Sequence, residues 1–138
     1  MKAEVFIDTS AFYALLVKQD EAHAKACRFM DQAARERQRF VTTDYIVDET
    51  VTLLKMRGHG HVALKFLASL QSSLSCRLIW MDPEQFTAVT NFFAKHQDKD
   101  WSFTDCFSFT VMRQLKLRTA LTKDEHFRAA DFETPLLK

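Results

Sequence analysis

A chain of 138 residues, 47% hydrophobic and with 13 Phe, is long enough for one well-packed core and too short for two, so a single domain over residues 1–138 is expected. Its 2 Gly and 2 Pro are too few for a turn-rich all-β design, which leaves helix as the dominant element. A formal net charge of +1 carries no polyanion signature, so any nucleic-acid contact has to come from local basic clusters.

Cys27, Cys76 and Cys106 are odd in number and lack paired metal-ligand spacing, which argues against a disulfide framework and a zinc knuckle. We read them as reduced thiols of an intracellular protein. Met1-Lys2-Ala3-Glu4 leads straight into a strand-like run, without the apolar stretch and cleavage site of a signal peptide. No run approaches the ~20 apolar residues of a membrane span. The cytoplasm is therefore the expected compartment.

Along the chain, Ala3 to Ile7 reads as a first strand, followed by Asp8-Thr9-Ser10 as a cap and an apolar helix through Val17. Glu21 to about Arg39 has Ala22, Ala26, Phe29, Met30 and Ala33 at helical spacing. Phe40 to Thr43 reads as a second strand. Tyr45 to Arg57 is a helix ending at Gly58, and His61 to Ser75 is another. Leu78 to Met81 is a third strand, stopped by Asp82-Pro83, and Pro83 opens a helix through Ala94. After a polar loop at His96 to Asp100, Ser102 or Thr104 caps a helix carrying Asp105, Phe107, Phe109, Val111, Met112 and Leu115. Thr119 to Leu121 is strand four, and Asp124 follows it much as Asp8 follows strand one. Short strands alternating with helices predict a parallel α/β sheet, because parallel strands need the long crossovers that helices supply.

Four carboxylates stand out in this frame. Asp8 and Asp124 lie just beyond strands, while Glu49 and Asp105 lie near the starts of helices, so all four can meet at one sheet edge, where ligands of open parallel sheets bind. Close carboxylates repel and raise one another's pKa, so such a cluster persists best around a hard cation with oxygen ligands. Magnesium keeps waters and accepts phosphate oxygens, as phosphodiester hydrolysis requires. Each residue also has a plain structural reading. Asp8 and Asp124 can be helix caps, and Glu49 can favour the positive end of its helix. Asp105 resists that reading more, because it sits in an otherwise apolar stretch from Phe103 to Phe109.

The runs Phe6-Ile7-Asp8-Thr9-Ser10, Asp48-Glu49-Thr50, Ser102 to Phe109 and Leu121-Thr122-Lys123-Asp124-Glu125-His126-Phe127 resemble, in order, the motifs of the PIN domain, specifically VapC-type toxin ribonucleases. The third and fourth runs are the specific ones. The resemblance implies a three-layer α/β fold with a central parallel sheet of four to five short strands flanked by helices. It also implies a magnesium-dependent endoribonuclease, with manganese as an alternative ion, whose metal and catalytic residues are Asp8, Glu49, Asp105 and Asp124. An RNA substrate, a VapB-like antitoxin and a homodimer follow from the same resemblance. Asp131 departs from the pattern, standing where the family often has Gly, and this puts the local turn in question.

Several other residues invite a role. Asp100 could assist metal or substrate through water, against the plainer reading of a solvated loop charge. Lys55, Arg57, His59 and His61 form a basic cluster that could meet RNA phosphates or simply line an interhelical turn. Lys123 and His126 flank Asp124 and could steer a phosphate or make only surface contacts. Thr9, Ser10, Ser102 and Thr104 could orient a carboxylate or water. Cys106 beside Asp105 lacks an activating His and reads as a small core residue. Phe12, Tyr13, Phe29 and Met30 read as core or as an apolar surface for a partner. Two rival functions remain open at this level: a PIN nuclease of RNA processing with no antitoxin, and a catalytically silent RNA- or protein-binding module.

Overall fold

The computed structural model describes residues 4–137. Among these, β1 (Val5–Ile7), α1 (Thr9–Leu16), α2 (His23–Arg35), β2 (Phe40–Thr43), α3 (Asp44–Met56), α4 (Gly60–Ser72), β3 (Cys76–Ile79), α5 (Pro83–Lys95), α6 (Phe103–Gln114), β4 (Ala120–Leu121) and α7 (Glu125–Ala129) follow one another. The four strands form one parallel sheet in the order β3-β2-β1-β4. All of β1, β2 and β4 is buried, as expected of parallel strands covered on both faces. Helix α1 packs on α2 and α3, and α3 on α4; α6 packs on α5 and α7, which completes a three-layer α/β fold.

Strand order places the site. β1 is flanked by β2 on one side and β4 on the other, so connections leave it in opposite directions, and a crevice opens beyond its carboxyl end. Phe6 pairs with Ala120 and Ile7 with Leu121, and the Asp8 amide donates to the Leu121 carbonyl at 3.1 Å. That register brings Asp8 level with Thr122. The expectation for strand one included Ala3, which lies outside the described residues. Strand three sits two residues earlier than expected, because Cys76 to Ile79 pairs in step with Phe40 to Thr43.

Helix α6 is the apolar spine. Every residue from Cys106 to Met112 is buried, including Ser108 and Thr110, whose hydroxyls have no hydrogen-bond partner. A helix buried all round belongs in the middle of a core, and Phe107 and Phe109 are fully buried there with Phe6 and Phe127. The Phe109 ring stands edge-on to Phe127 at 4.9 Å and to Trp101 at 5.0 Å. Phe12 belongs to this core, against Phe66 at 4.8 Å, and Phe29 and Met30 are half-buried against it. These residues are packing, while the exposed apolar side chains include Leu74 and Trp80.

Helix stops explain how a glycine-poor chain turns. After α2, α3, α6 and α7 the same double hydrogen bond closes the last turn, for example Leu117 N–H to Met112 O at 2.8 Å with Lys116 N–H to Arg113 O at 3.2 Å. The pivot residues have positive φ: Arg37 at 56°, Gly58 at 82°, Lys116 at 58° and Asp131 at 71°. Gly58 ends its helix as its sequence predicts. Asp131 holds the left-handed turn that glycine would serve, so the departure at this position leaves the geometry intact. Arg37 is why α2 stops at Arg35 and not near Arg39.

Candidate active site

Asp8 closes β1 and is the N-cap residue of α1, 7% exposed, yet its carboxylate does not cap the helix. It turns toward β4 instead, where Oδ2 accepts from Thr122 Oγ1 at 2.8 Å and from Ser10 Oγ at 3.3 Å. Burial pushes its carboxyl up to about 6, and the charges of Asp124 and Asp105 add to this. Hydrogen bonds from Thr122 and from the Thr9 backbone oppose the rise. Thr122 is fully buried and also accepts the Asp124 amide at 2.9 Å, so one hydroxyl ties the ends of β1 and β4 together.

Asp105 comes from the opposite direction, in the first turn of α6. Ser102 caps that helix by accepting the Asp105 amide at 3.0 Å, and Asp105 Oδ2 accepts the Ser102 amide at 3.1 Å, a reciprocal capping box. Thr104 is not the cap. Asp124 caps α7 by accepting the His126 amide on Oδ1 at 2.9 Å. The His126 ring then bridges the two acids, with Nδ1 3.0 Å from Asp105 Oδ2 and 3.5 Å from Asp124 Oδ1. Burial alone would lower the His126 pKa, but the hydrogen bond to Asp105 and the charges of Asp124, Asp105 and Asp100 raise it above the usual value. Asp105, Asp124 and His126 each offer a ligand atom within 4.8 Å of the others.

Glu49 stands at the exposed rim, in the second turn of α3, and Oε1 accepts from Thr9 Oγ1 at 2.9 Å. Burial of the carboxyl raises its pKa, Thr9 opposes this, and Asp105, Asp48 and Asp124 raise it further. The charges of Asp105 and Asp124 bear on both Asp8 and Glu49. Asp100 is exposed, and its charge reaches His126.

Lys123 is adjacent to Asp124 in sequence but turned away from it. Its ammonium binds Asp20 at 3.0 Å and approaches Glu21 at 3.8 Å, while its amide donates to Ser10 Oγ at 2.7 Å. Among the described residues no lysine or arginine pairs with the four acids, and the ion pairs that reach them come from His126 alone. Arg57 lies over the Tyr13 ring at 5.0 Å, with His59 edge-on to the same ring, so the basic cluster is partly a lid on a core residue. Burial and the Asp105 charge push the Cys106 thiol up to about 11, opposite to what a nucleophile needs. Ser10 and Thr9 do contact carboxylates as their positions suggested. Thr122 escaped the sequence reading because its partner depends on the β1–β4 register. His126 was noticed, but its bridge between two acids depends on how α6 and α7 pack.

Carboxylates gathered at the carboxyl edge of a parallel sheet, with no lysine or arginine paired to them among the described residues, define the class of site that holds a hard divalent cation on oxygen ligands. The PIN domain family model matches residues 5–133, and the chain belongs to that family, among its VapC-type endoribonucleases. It is 30% identical over 128 residues to the 23S rRNA-specific endonuclease VapC20 of Mycobacterium tuberculosis, covering 93% of this chain and 95% of that one. A VapC ribonuclease of Archaeoglobus fulgidus is 32% identical over 114 residues, 81% of this chain and 72% of that one. The crystal structure of VapC20 from M. tuberculosis, described as a sarcin-ricin loop cleaving toxin, superposes with a TM-score of 0.82 at 28% identity over 94% of this chain and 96% of that one. FitAcB of Neisseria gonorrhoeae shares the fold, with a TM-score of 0.62 at 17% identity over 94% of this chain and 95% of that one. No helix among the described residues is long and apolar enough to cross a membrane.

Proposed function

We propose that this endoribonuclease is the toxin of a toxin–antitoxin pair and cleaves a structured ribosomal RNA loop, with Asp8, Asp105, Asp124 and Glu49 as its metal-binding and catalytic residues. The observation that carries the site is the convergence of Asp8, Asp105 and Asp124 from three separated segments onto the crevice beside β1, with Glu49 at its rim. The donor set is oxygen-rich and fits magnesium, with manganese as the natural substitute. The buried Asp8, whose Oδ2 accepts from the Thr122 and Ser10 hydroxyls, supports a cation there, which would offset the burial that pushes its carboxyl up.

When bound, the ion would supply an activated water and neutralise charge on the phosphate. The protein's share is positioning. Thr122 and Ser10 fix Asp8, Ser102 fixes Asp105, and the α7 amide at His126 fixes Asp124, so each carboxylate is oriented before substrate arrives. Glu49, on a helix of its own and held by Thr9, is placed to orient water or a ligand from the open side. The near-full-length similarity to VapC20 supports a ribosomal RNA substrate, and membership among VapC-type proteins supports a VapB-like antitoxin, a homodimer and a cytoplasmic site of action.

The test is cleavage of purified ribosomes and of free 23S rRNA in magnesium, in EDTA, and by the Asp8→Asn and Asp105→Asn variants, with new ends mapped by primer extension. A single new end that requires both the ion and the acids is expected. Cleavage that survives chelation and both substitutions would refute the mechanism, and cleavage of other RNAs in preference to ribosomes would refute the substrate.

A further inference from the structure

His126 is neither an acid nor a hydroxyl, and a four-carboxylate centre leaves it without a task. It is the second residue of α7, its amide is used by Asp124, and its side chain remains 41% exposed. What distinguishes it is the place of one atom. Nδ1 lies 3.0 Å from a carboxylate oxygen of α6 and 3.5 Å from one that precedes α7, so a single nitrogen reaches both acids.

Those lengths suit a hydrogen bond, but they also suit coordination. Adjacent ligands of an octahedral ion with bonds of about 2.1 Å lie roughly 3 Å apart. The Nδ1-to-oxygen separations of 3.0 and 3.5 Å are therefore compatible with neighbouring ligands of one ion, and one ligand atom from each of the three residues lies within 4.8 Å of the others. A bound ion would take the place of the Nδ1–Asp105 hydrogen bond, with the Nδ1 proton released to solvent so that the neutral ring presents a lone pair. Lys123, the other cation of this segment, is held away by Asp20 and does not compete for the place.

Resting on the reading that the acidic centre binds a divalent cation, we propose that His126 is a nitrogen ligand of that ion. Imidazole favours first-row transition ions over magnesium, which prefers oxygen. His126 thus biases the centre toward manganese and its neighbours, beyond what carboxylates alone would do. A purely positioning His126, holding Asp105 from outside the ion's shell, would also strengthen binding, so affinity alone does not separate the two roles.

Electron spin echo spectroscopy of bound manganese separates them, because it reads nitrogen directly attached to the ion. The full chain, uniformly unlabelled and then with 15N-histidine, is loaded with Mn2+ at one equivalent. Modulation from a coordinated histidine nitrogen is expected, with its frequencies changing on 15N-histidine labelling and the signal lost in His126→Gln. In calorimetry the same substitution should weaken Mn2+ by about tenfold or more and Mg2+ by less than about threefold. Bound Mn2+ without a histidine coupling in the wild type overturns the proposal, as does a coupling that persists in His126→Gln. A wild type without the coupling overturns the proposal even if His126→Gln fails to fold, and His126→Asn then serves to assign a coupling that is seen. A wild type that binds no Mn2+ in the titration overturns the metal reading of the whole centre, an outcome told apart by the absence of any bound signal.

Discussion

Replacing Asp8 with Asn should stabilise the metal-free protein while abolishing cleavage. Asp8 is 7% exposed and its carboxyl is raised from 3.8 to about 6, chiefly by burial. At about 1.4 kcal/mol per pH unit, the ionised side chain costs the metal-free fold about 3 kcal/mol at neutral pH. Asn keeps an oxygen to accept from Thr122 and removes the charge, so about 1–3 kcal/mol of added stability is expected once imperfect amide partners are allowed for. The sign follows from proton uptake. Between the ordinary carboxyl value and about 6 the folded state holds more protons at Asp8 than the unfolded state, so this residue's contribution falls as pH rises through that window and is flat above it. Glu49 and His126 are raised as well and slope the same way. Urea denaturation of both proteins in EDTA, from about pH 4 to about pH 8, should show curves that coincide at the acid end and separate to a constant gap in favour of Asn near neutrality. A variant that is less stable at neutral pH, or a gap that does not change with pH, would refute the reasoning.

The remaining predictions reach from the site to the scaffold. Adding Mn2+ or Mg2+ at a hundred times its dissociation constant should stabilise the wild type by about 2.7 kcal/mol and leave Asp105→Asn nearly unmoved, read as a shift in urea midpoint. Thr122→Val removes the hydroxyl shared by Asp8, Ser10 and the Asp124 amide, so a loss of about 1.5–3 kcal/mol is expected by denaturation. Its cleavage should also require a higher pH than wild type, because Asp8 loses a bond that lowers its pKa. Gly58→Ala should cost about 1 kcal/mol although no atom lies within 4 Å of the added methyl, because the whole cost is the positive φ of 82°. Lys116→Gly, at φ 58°, should do the reverse by up to about 1 kcal/mol in the same assay. Thr110→Val, which removes a buried hydroxyl without a partner, should be neutral or stabilising by about 1 kcal/mol.

The sequence made the alternation of strands and helices legible, because the apolar runs are short and their boundaries carry Asp, Ser and Thr. It located Asp8 at the end of β1 and Asp124 beyond β4 for the same reason. Register was out of reach: nothing in Ala120-Leu121-Thr122 says which residue of β1 it faces, so the Thr122–Asp8 bond could be seen only in the folded chain. Helix ends were blurred wherever a non-glycine residue takes the left-handed turn, since Arg37 and Lys116 carry no sequence sign of it. Adjacency to Asp124 did not say where Lys123 points. The residue next to an acid in sequence pairs with Asp20, because a strand end sends successive side chains in different directions.

Capping and function, weighed as rivals when each acid stands alone, prove to be compatible in the folded chain. Asp105 uses Oδ2 for the Ser102 amide and the His126 ring, and Asp124 uses Oδ1 for the His126 amide; among the described residues neither hydrogen-bonds through its second oxygen. A cap therefore fixes the direction of the carboxylate without exhausting it, leaving the second oxygen and the remaining lone pair of the capping oxygen for an ion. Two helix N-termini also supply partial positive charge beside these acids, which offsets part of their repulsion before any cation arrives. Asp8 differs: at the N-cap of α1 its side chain makes no cap hydrogen bond to the turn, its partners are the Thr122 and Ser10 hydroxyls and the Thr9 backbone, and burial pushes its carboxyl up to about 6. Under the proposed metal reading, the acid that does not cap would gain most from a cation, because burial already disfavours its charge. It follows that binding of an ion should couple most strongly to the protonation of Asp8, and that substituting Asp8 should alter the pH dependence of affinity more than substituting Asp124 does.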